Sequence, residues 1–211
     1  MFAPIFARGA KVGRSLPLLS VFSNVAAARQ RQEIDYAKLT GLPKSFAHEA
    51  AENALAGKTQ IKSKDGYDIA TFAAGCLWGV ELEYQRVPGV IATTVGYVQG
   101  RVERPTYEEV SAARTGHTEA VQLIYDPGVV SYLDLCEIFW NRLGDSAVKY
   151  QQVGNDRGPQ YRSGIYTTTP SQLKTAKESL VSRQSKLKKP IQTEVEQMRG
   201  VFWPAEEYHQ Q

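Results

Sequence analysis

The chain has 211 residues, 42% of them hydrophobic, with three Trp, eleven Tyr and seven Phe, enough for one domain with a substantial core. Its formal charge is +3, yet Arg8, Lys11, Arg14, Arg29 and Arg31 all lie within residues 1–32, where there is no acid; taking those five from the 25 basic groups leaves 20 against 22 acids, a charge of −2 for residues 33–211. That remainder has no basic block of the kind that binds nucleic acid, and no apolar run approaches the roughly 18 residues that cross a bilayer.

Residues 1–32, "MFAPIFARGAKVGRSLPLLSVFSNVAAARQRQ", are rich in Arg, Ala and Ser and free of acids, with apolar residues spaced for an amphipathic helix. Those are the features of a mitochondrial transit peptide. A secretory signal competes, because "LPLLSVFSNVAAA" is a short apolar stretch ending in small residues, and a disordered arm on a cytoplasmic protein is the plain alternative. Basic residues dispersed among apolar ones favour the mitochondrial reading, and two cysteines argue against a disulfide-built secreted scaffold. Residues 33–66 read as a linker or N-terminal arm, with a short helix near 45–55 and a turn at Lys64-Asp65-Gly66.

The domain proper is expected over residues 67–211. "YDIATFAA" reads as a strand reaching Gly75, and the amphipathic stretch Leu77 to Val87 as a helix stopped by Pro88-Gly89. "VIATTVGYV" (90–98) is β-branched and strand-like, a polar loop covers 99–116, and "TEAVQLIYDP" (118–127) alternates like a strand. "SYLDLCEIFWNRL" (131–143) is a helix with Ser131 as N-cap and Tyr132, Leu135, Cys136, Phe139, Trp140 and Leu143 on one face. A second loop (144–159) precedes the strand "QYRSGIYTTT" (160–169), a charged helix opening at Pro170, and one more strand in "PIQTEVEQ". The order β-α-β, β-α-β with an added helix and strand predicts an α/β (α+β) domain, a ferredoxin-like two-layer sandwich behind an N-terminal extension.

Cys76 falls where a strand gives way to a helix, between Gly75 and Trp78 in "FAAGCLWGVELEYQRVPG". Unpaired backbone N–H groups and the helix dipole favour an anion at such a junction, and positions of this kind lower a thiol's pKa. The spacing alone leaves a reactive Cys76 evenly matched with an inert, buried one. Cys136 sits on an apolar helix face and reads as core packing. Polar groups crowd the loops and their edges in "PTYEEV" (105–110), "TGHTEAV" (115–121) and "GNDRGPQYRS" (154–163), where rigid scaffolds display functional groups.

These segments together resemble peptide methionine sulfoxide reductase of the A type, enzymes acting on the S-epimer of the sulfoxide. The family signature Gly-Cys-Phe-Trp-Gly corresponds to "GCLWG" (75–79), followed in the family's order by "GY" (96–97), "PTYEEV", "GHTEAV", "YDP" (125–127), "FW" (139–140), "GND", "QYRSGIY" and "AEEYHQQ" (205–211). The resemblance runs from about residue 68 to the end. It implies that Cys76 is the nucleophile and Glu119 the acid that protonates the sulfoxide oxygen. Tyr107 and Tyr161 would hold that oxygen, Asp156 would organise the polar pocket, and Trp78 would form the wall for the methyl group, leaving Cys76 as a sulfenic acid. No metal or organic cofactor is implied. The expected partners are oxidised methionine in proteins and peptides, with a thioredoxin or glutaredoxin system, and the chain is expected to act as a monomer without nucleic acid or membrane.

The chain departs from the family at three places. Leu77 replaces the usual phenylalanine and is expected to give the methyl pocket one aliphatic wall. "RLGDSAVKYQQVGND" stands where the family has a stretch two residues shorter containing His-Asp-Pro, and Arg157 and Pro159 differ as well. Many relatives continue beyond "EEYHQQ" into a glycine-rich tail with resolving cysteines; with none here, the expectation is an external thiol such as glutathione, glutaredoxin or thioredoxin. Two other functions fit parts of the pattern: a cysteine hydrolase or acyl transferase using Cys76, His117 and Asp156, and a binding form of the reductase that does not recycle.

Overall fold

The computed structural model describes residues 45–210; the expected transit peptide at 1–32, and residues 33–44 of the arm, lie outside them. Helix α1 (Phe46–Leu55) opens the described chain, capped by the Ser45 hydroxyl, which accepts from the His48 N–H. It buries Phe46, Ala47, Ala50, Ala51 and Ala54, so the described part of the expected linker is a packed element rather than a loose arm.

Strand β1 (Asp68–Ala73) leads into α2 (Leu77–Gln85), β2 (Val90–Val98), α3 (Tyr107–Ser111) and β3 (Thr118–Tyr125). Helix α4 (Tyr132–Leu143) follows, started by a capping box in which Ser131 and Asp134 satisfy each other's backbone N–H groups. The short hairpin β4 (Gln152–Val153) and β5 (Asp156–Arg157) precedes β6 (Gly164–Thr167), α5 (Pro170–Gln184), β7 (Glu194–Gln197) and β8 (Trp203–Pro204).

The main sheet runs β7-β6-β1-β3-β2-β8. Its four inner strands, β6-β1-β3-β2, pair antiparallel with one another and are linked by the crossovers β1-α2-β2 and β3-α4-β6. This is the expected ferredoxin-like arrangement. Strand β7 extends it in parallel beside β6 through α5, and β8 pairs with the other edge.

Phe72, Val121 and Ile165 lie in register on one sheet face and pack against Tyr84 of α2 and Leu135, Phe139 and Trp140 of α4. The Phe72 and Tyr84 rings stack with centroids 5.0 Å apart, and the buried Trp140 indole donates to the Ser179 hydroxyl of α5 at 2.9 Å. The opposite face is also covered: Ala73, Ala120 and Tyr166 meet Ala50 of α1 together with Met198 and Phe202. A sheet buried on both faces explains why every residue of β3 is buried.

Several elements depart from the expectation, among them the β4–β5 hairpin inside the expected loop 144–159. The polar loop 99–116 contains the five-residue helix α3, and β8 pairs only two residues. The strand expected over 160–169 is limited to β6, because Pro159 starts a 3-10 turn (Pro159–Tyr161) ahead of it.

Candidate active site

Between β1 and α2 the chain turns at Gly75, whose φ is +81°. A Cβ at this position would also sit 2.9 Å from Cβ of Val153, so the β4–β5 hairpin packs where only glycine leaves room. Cys76 is the N-cap residue of α2, partly exposed, with no side-chain capping bond. One turn on, the Arg142 guanidinium packs over Gly79, 2.5 Å from where a Cβ would be.

The next backbone N–H, that of Leu77, donates to Glu119 Oε2 at 3.0 Å. Glu119 is the second residue of β3 and is 2% exposed. Burial pushes its carboxyl up to about 7; the Asp156 charge adds to the shift and the Leu77 N–H opposes it. Glu119 thus stays substantially protonated near neutral pH, hydrogen-bonded to the residue that follows the cysteine.

Tyr107 and Tyr161 share this environment. Tyr161 is pushed up to about 12, first by burial and then by the charges of Glu119, Tyr107, Asp156 and Cys76. Tyr107 is raised by burial, Glu119 and Cys76, with the Tyr161 hydroxyl working against them. Both phenols therefore remain donors over the working pH range. Tyr107 is set by the Thr106–Glu109 capping box of α3 and by its own N–H, which donates to Glu206 Oε1 at 2.7 Å. Tyr161 rides on the 3-10 turn, held by the Thr118 hydroxyl 3.0 Å from the Gln160 and Arg162 carbonyls. Arg162 ties the same turn to Pro159 and Gly116 through their carbonyls and pairs with Glu194.

Asp156 is exposed in β5, at the rim, and reaches Glu119 and Tyr161 through its charge. Trp78 is 54% exposed, an open apolar surface beside Cys76. The Leu77 side chain departs from the expectation of a pocket wall. It is 2% exposed and packs with Ala51, Val95, Tyr97, Val110 and Trp203, because the first helical residue after the cysteine turns inward while Trp78 turns out. What Leu77 presents to the site is its backbone N–H.

The chain's final described residues were singled out only as part of a motif, and they build much of the site. Glu206 joins two elements: Oε2 accepts from the Tyr97 hydroxyl at 2.9 Å while Oε1 accepts from the Tyr107 N–H. The His209 carbonyl accepts from the Trp78 indole at 3.0 Å, and its ring lies 5.5 Å from Trp78 and 4.6 Å from Tyr107. Gln210 anchors this tail on β2. Its Oε1 accepts from Thr94 Oγ1 and the Val95 N–H, and its Nε2 donates to the Val95 and Ala205 carbonyls. The motif "AEEYHQQ" (205–211) is the one sequence signal that pointed there.

Cys136 is fully buried among α4, α5 and the sheet, and burial pushes its thiol up to about 12, the inert behaviour expected of it. His117 is 3% exposed and has no hydrogen bond to Cys76; its Nδ1 has no partner at all. Burial pushes its pKa down to about 4, with Arg162 adding to the effect. A Cys76–His117–Asp156 catalytic set finds no support in this arrangement.

Comparison with known proteins agrees with the geometry. The family model described as peptide methionine sulfoxide reductase matches residues 68–211. Peptide methionine sulfoxide reductase A2-1 of Oryza sativa subsp. japonica is 46% identical over 161 residues, 76% of this chain and 84% of that protein. Peptide methionine sulfoxide reductase MsrA of Methanoculleus marisnigri is 50% identical over 144 residues, 67% of this chain and 86% of that one. Among solved structures, methionine sulfoxide reductase A of Corynebacterium diphtheriae superimposes with a TM-score of 0.66 at 32% identity, covering 73% of this chain and 80% of that one.

Proposed function

The chain belongs to the peptide methionine sulfoxide reductase family, oxidoreductases that reduce the S-sulfoxide of methionine, and from that premise we propose how its own residues carry the reaction. The sulfoxide methyl group rests against the exposed face of Trp78, an apolar surface that a charged or bulky group would not prefer. Tyr107 and Tyr161 donate to the sulfoxide oxygen. The Cys76 thiolate then attacks the sulfur while Glu119 delivers a proton to that oxygen.

Two electrons pass from the cysteine sulfur to the substrate sulfur, and the oxygen ends on Cys76 as a sulfenic acid while methionine leaves. Glu119 becomes a carboxylate and is reprotonated from solvent. An incoming thiol condenses with the sulfenic acid, releasing water and forming a mixed disulfide, and a second thiol restores Cys76. The other cysteine of these 211 residues, Cys136, is buried with its thiol held protonated, so the resolving thiol comes from outside this stretch. A dithiol protein of the thioredoxin or glutaredoxin kind, or glutathione, has the required chemistry. No metal or organic cofactor enters any step.

The observation that carries the reading is Glu119, buried and held near neutrality, bonded to the N–H next to Cys76. A single-turnover assay without reductant tests it: equimolar S-epimer of a methyl sulfoxide should yield one sulfide per thiol lost, and the R-epimer none. Binding of the S-epimer without thiol loss would instead make the protein a receptor. We also propose that residues 1–32, acid-free and arginine-rich, direct the chain to mitochondria. A fusion of that segment to a fluorescent protein should localise there, and diffuse cytoplasmic or secreted fluorescence would overturn the assignment.

A further inference from the structure

Tyr107 is carried by an element that cannot orient it alone. It follows the loop after β2 and is the first residue of α3, whose five residues bury only Val110 and are too few to hold a direction by themselves. The Thr106–Glu109 capping box satisfies the N–H groups of Thr106 and Glu109 and passes over that of Tyr107. Glu206, 99 residues along the chain, takes that N–H at 2.7 Å.

Glu206 is itself held at both ends. The N–H of Ala205 donates to the Val95 carbonyl, and the Glu206 carbonyl accepts from the His209 N–H, each at 2.9 Å, so the backbone is pinned on either side of the carboxylate. The second carboxylate oxygen accepts from the Tyr97 hydroxyl at 2.9 Å. Tyr97 is fully buried on β2 and pairs with Glu119 of β3, and paired residues leave a sheet on the same face. Glu206 forms no ion pair among the described residues; what its carboxylate does is accept these two bonds. A path of one strand pairing and two hydrogen bonds, Glu119–Tyr97–Glu206–Tyr107, thus runs from the acid to the phenol.

We propose that Glu206 is a positioning residue for the reduction: by bridging the Tyr97 hydroxyl to the Tyr107 N–H, it sets where the Tyr107 hydroxyl stands relative to the Glu119 carboxyl. The inference rests on Tyr107 being a donor to the sulfoxide oxygen. A donor and an acid that converge on one oxygen must both be in place as charge develops there, and misplacing such a group by about 1 Å costs up to about 100-fold in rate. The loss falls on the reacting step and not on binding, because the Trp78 indole is held separately, by the His209 carbonyl. Glu206→Gln can keep both ends of the bridge, its oxygen accepting from the Tyr107 N–H and its amide donating to a rotated Tyr97 hydroxyl. Glu206→Ala keeps neither, and Glu206→Asp is one methylene too short to span them.

The test is the maximal single-turnover rate of sulfide formation from the S-sulfoxide, with its half-saturating concentration, for these three variants alone and combined with Tyr107→Phe. Alone, Glu206→Ala should lose at least about tenfold in rate and Glu206→Asp at least about fivefold, with half-saturation within about twofold, while Glu206→Gln stays within about threefold of wild type. Combined with Tyr107→Phe, which removes the hydroxyl being positioned, each should cost no more than about twofold further. Near-ultraviolet circular dichroism verifies the fold, and Glu206→Asp, which keeps the charge, carries the test should Glu206→Ala not fold. A slow Tyr107→Phe in which Glu206→Asp costs its full factor again would overturn the positioning role alone, as would wild-type rates in Glu206→Ala or Glu206→Asp. A Tyr107→Phe as fast as wild type would overturn the donor role of Tyr107 and this inference with it.

Discussion

The two cysteines occupy opposite kinds of place. Cys76 caps a helix at a strand junction, partly exposed, with a protonatable carboxyl bonded to the neighbouring N–H. Cys136 sits mid-helix on α4, fully buried, under Tyr132 and beside Ser179, with burial holding its proton in place. The same thiol is placed for the proposed chemistry in one region and for packing in the other, and what separates them is backbone geometry and water rather than the residue itself.

Substitution makes that contrast sharpest. Cys76→Ser is expected to abolish turnover, a loss beyond about 10⁴-fold, with little change in stability. Cys136→Ser should leave kcat within about twofold and lower stability by about 1–2 kcal/mol, since it places a hydroxyl in a packed interior. Steady-state assays and thermal melts of the two variants read both effects, and any large rate loss in Cys136→Ser would break the comparison.

Glu119 comes next in magnitude, and its two effects have opposite signs. Removing the proton donor in Glu119→Gln should lower kcat by about 10²–10⁴. The wild-type rate should fall as pH rises through about 7, where the acid loses its proton. Stability falls with pH over the same range. A carboxyl raised from 4.5 to about 7 binds its proton more tightly in the folded state, so folding is at its most stable below pH 4.5 with respect to this group and loses up to about 3 kcal/mol by pH 8. Glu119→Gln keeps an acceptor for the Leu77 N–H and should therefore melt higher than wild type at pH 8 while being nearly inactive. A lower melting temperature at that pH would contradict the buried-acid account.

The smallest of these effects concerns the tail. Gln210→Ala removes four hydrogen bonds to Thr94, Val95 and Ala205 and loosens the His209 carbonyl that holds the Trp78 indole. A three- to tenfold rise in KM with kcat within about twofold is expected, because the role proposed for Trp78, a surface for the methyl group, moves no protons or electrons. An unchanged KM would mean the indole is positioned without the tail.

The sequence made some of this legible for plain physical reasons. Strand β2 lies over the expected residues 90–98 because its β-branched run is bounded by glycines, and α4 starts at Tyr132 because Ser131 and Asp134 form a cap. Cys76 at the junction followed from the change of period around Gly75. The inward turn of Leu77 was not legible, since helix phase depends on the single residue at which the helix begins. Helix α3, with five residues, and β8, with two, are too short to leave a periodic trace. Glu206, His209 and Gln210 escaped for another reason: their partners lie about 100 or more residues away, and no local pattern encodes such a pairing.

The most direct measurement is mass spectrometry of the protein after one equivalent of the S-sulfoxide in the absence of reductant, with the product trapped by a sulfenic-acid reagent. The account predicts one added label per chain, confined to the peptide containing Cys76 and absent after treatment with the R-epimer. Label on the Cys136 peptide instead, or sulfide formed with Cys76 unmodified, would contradict it.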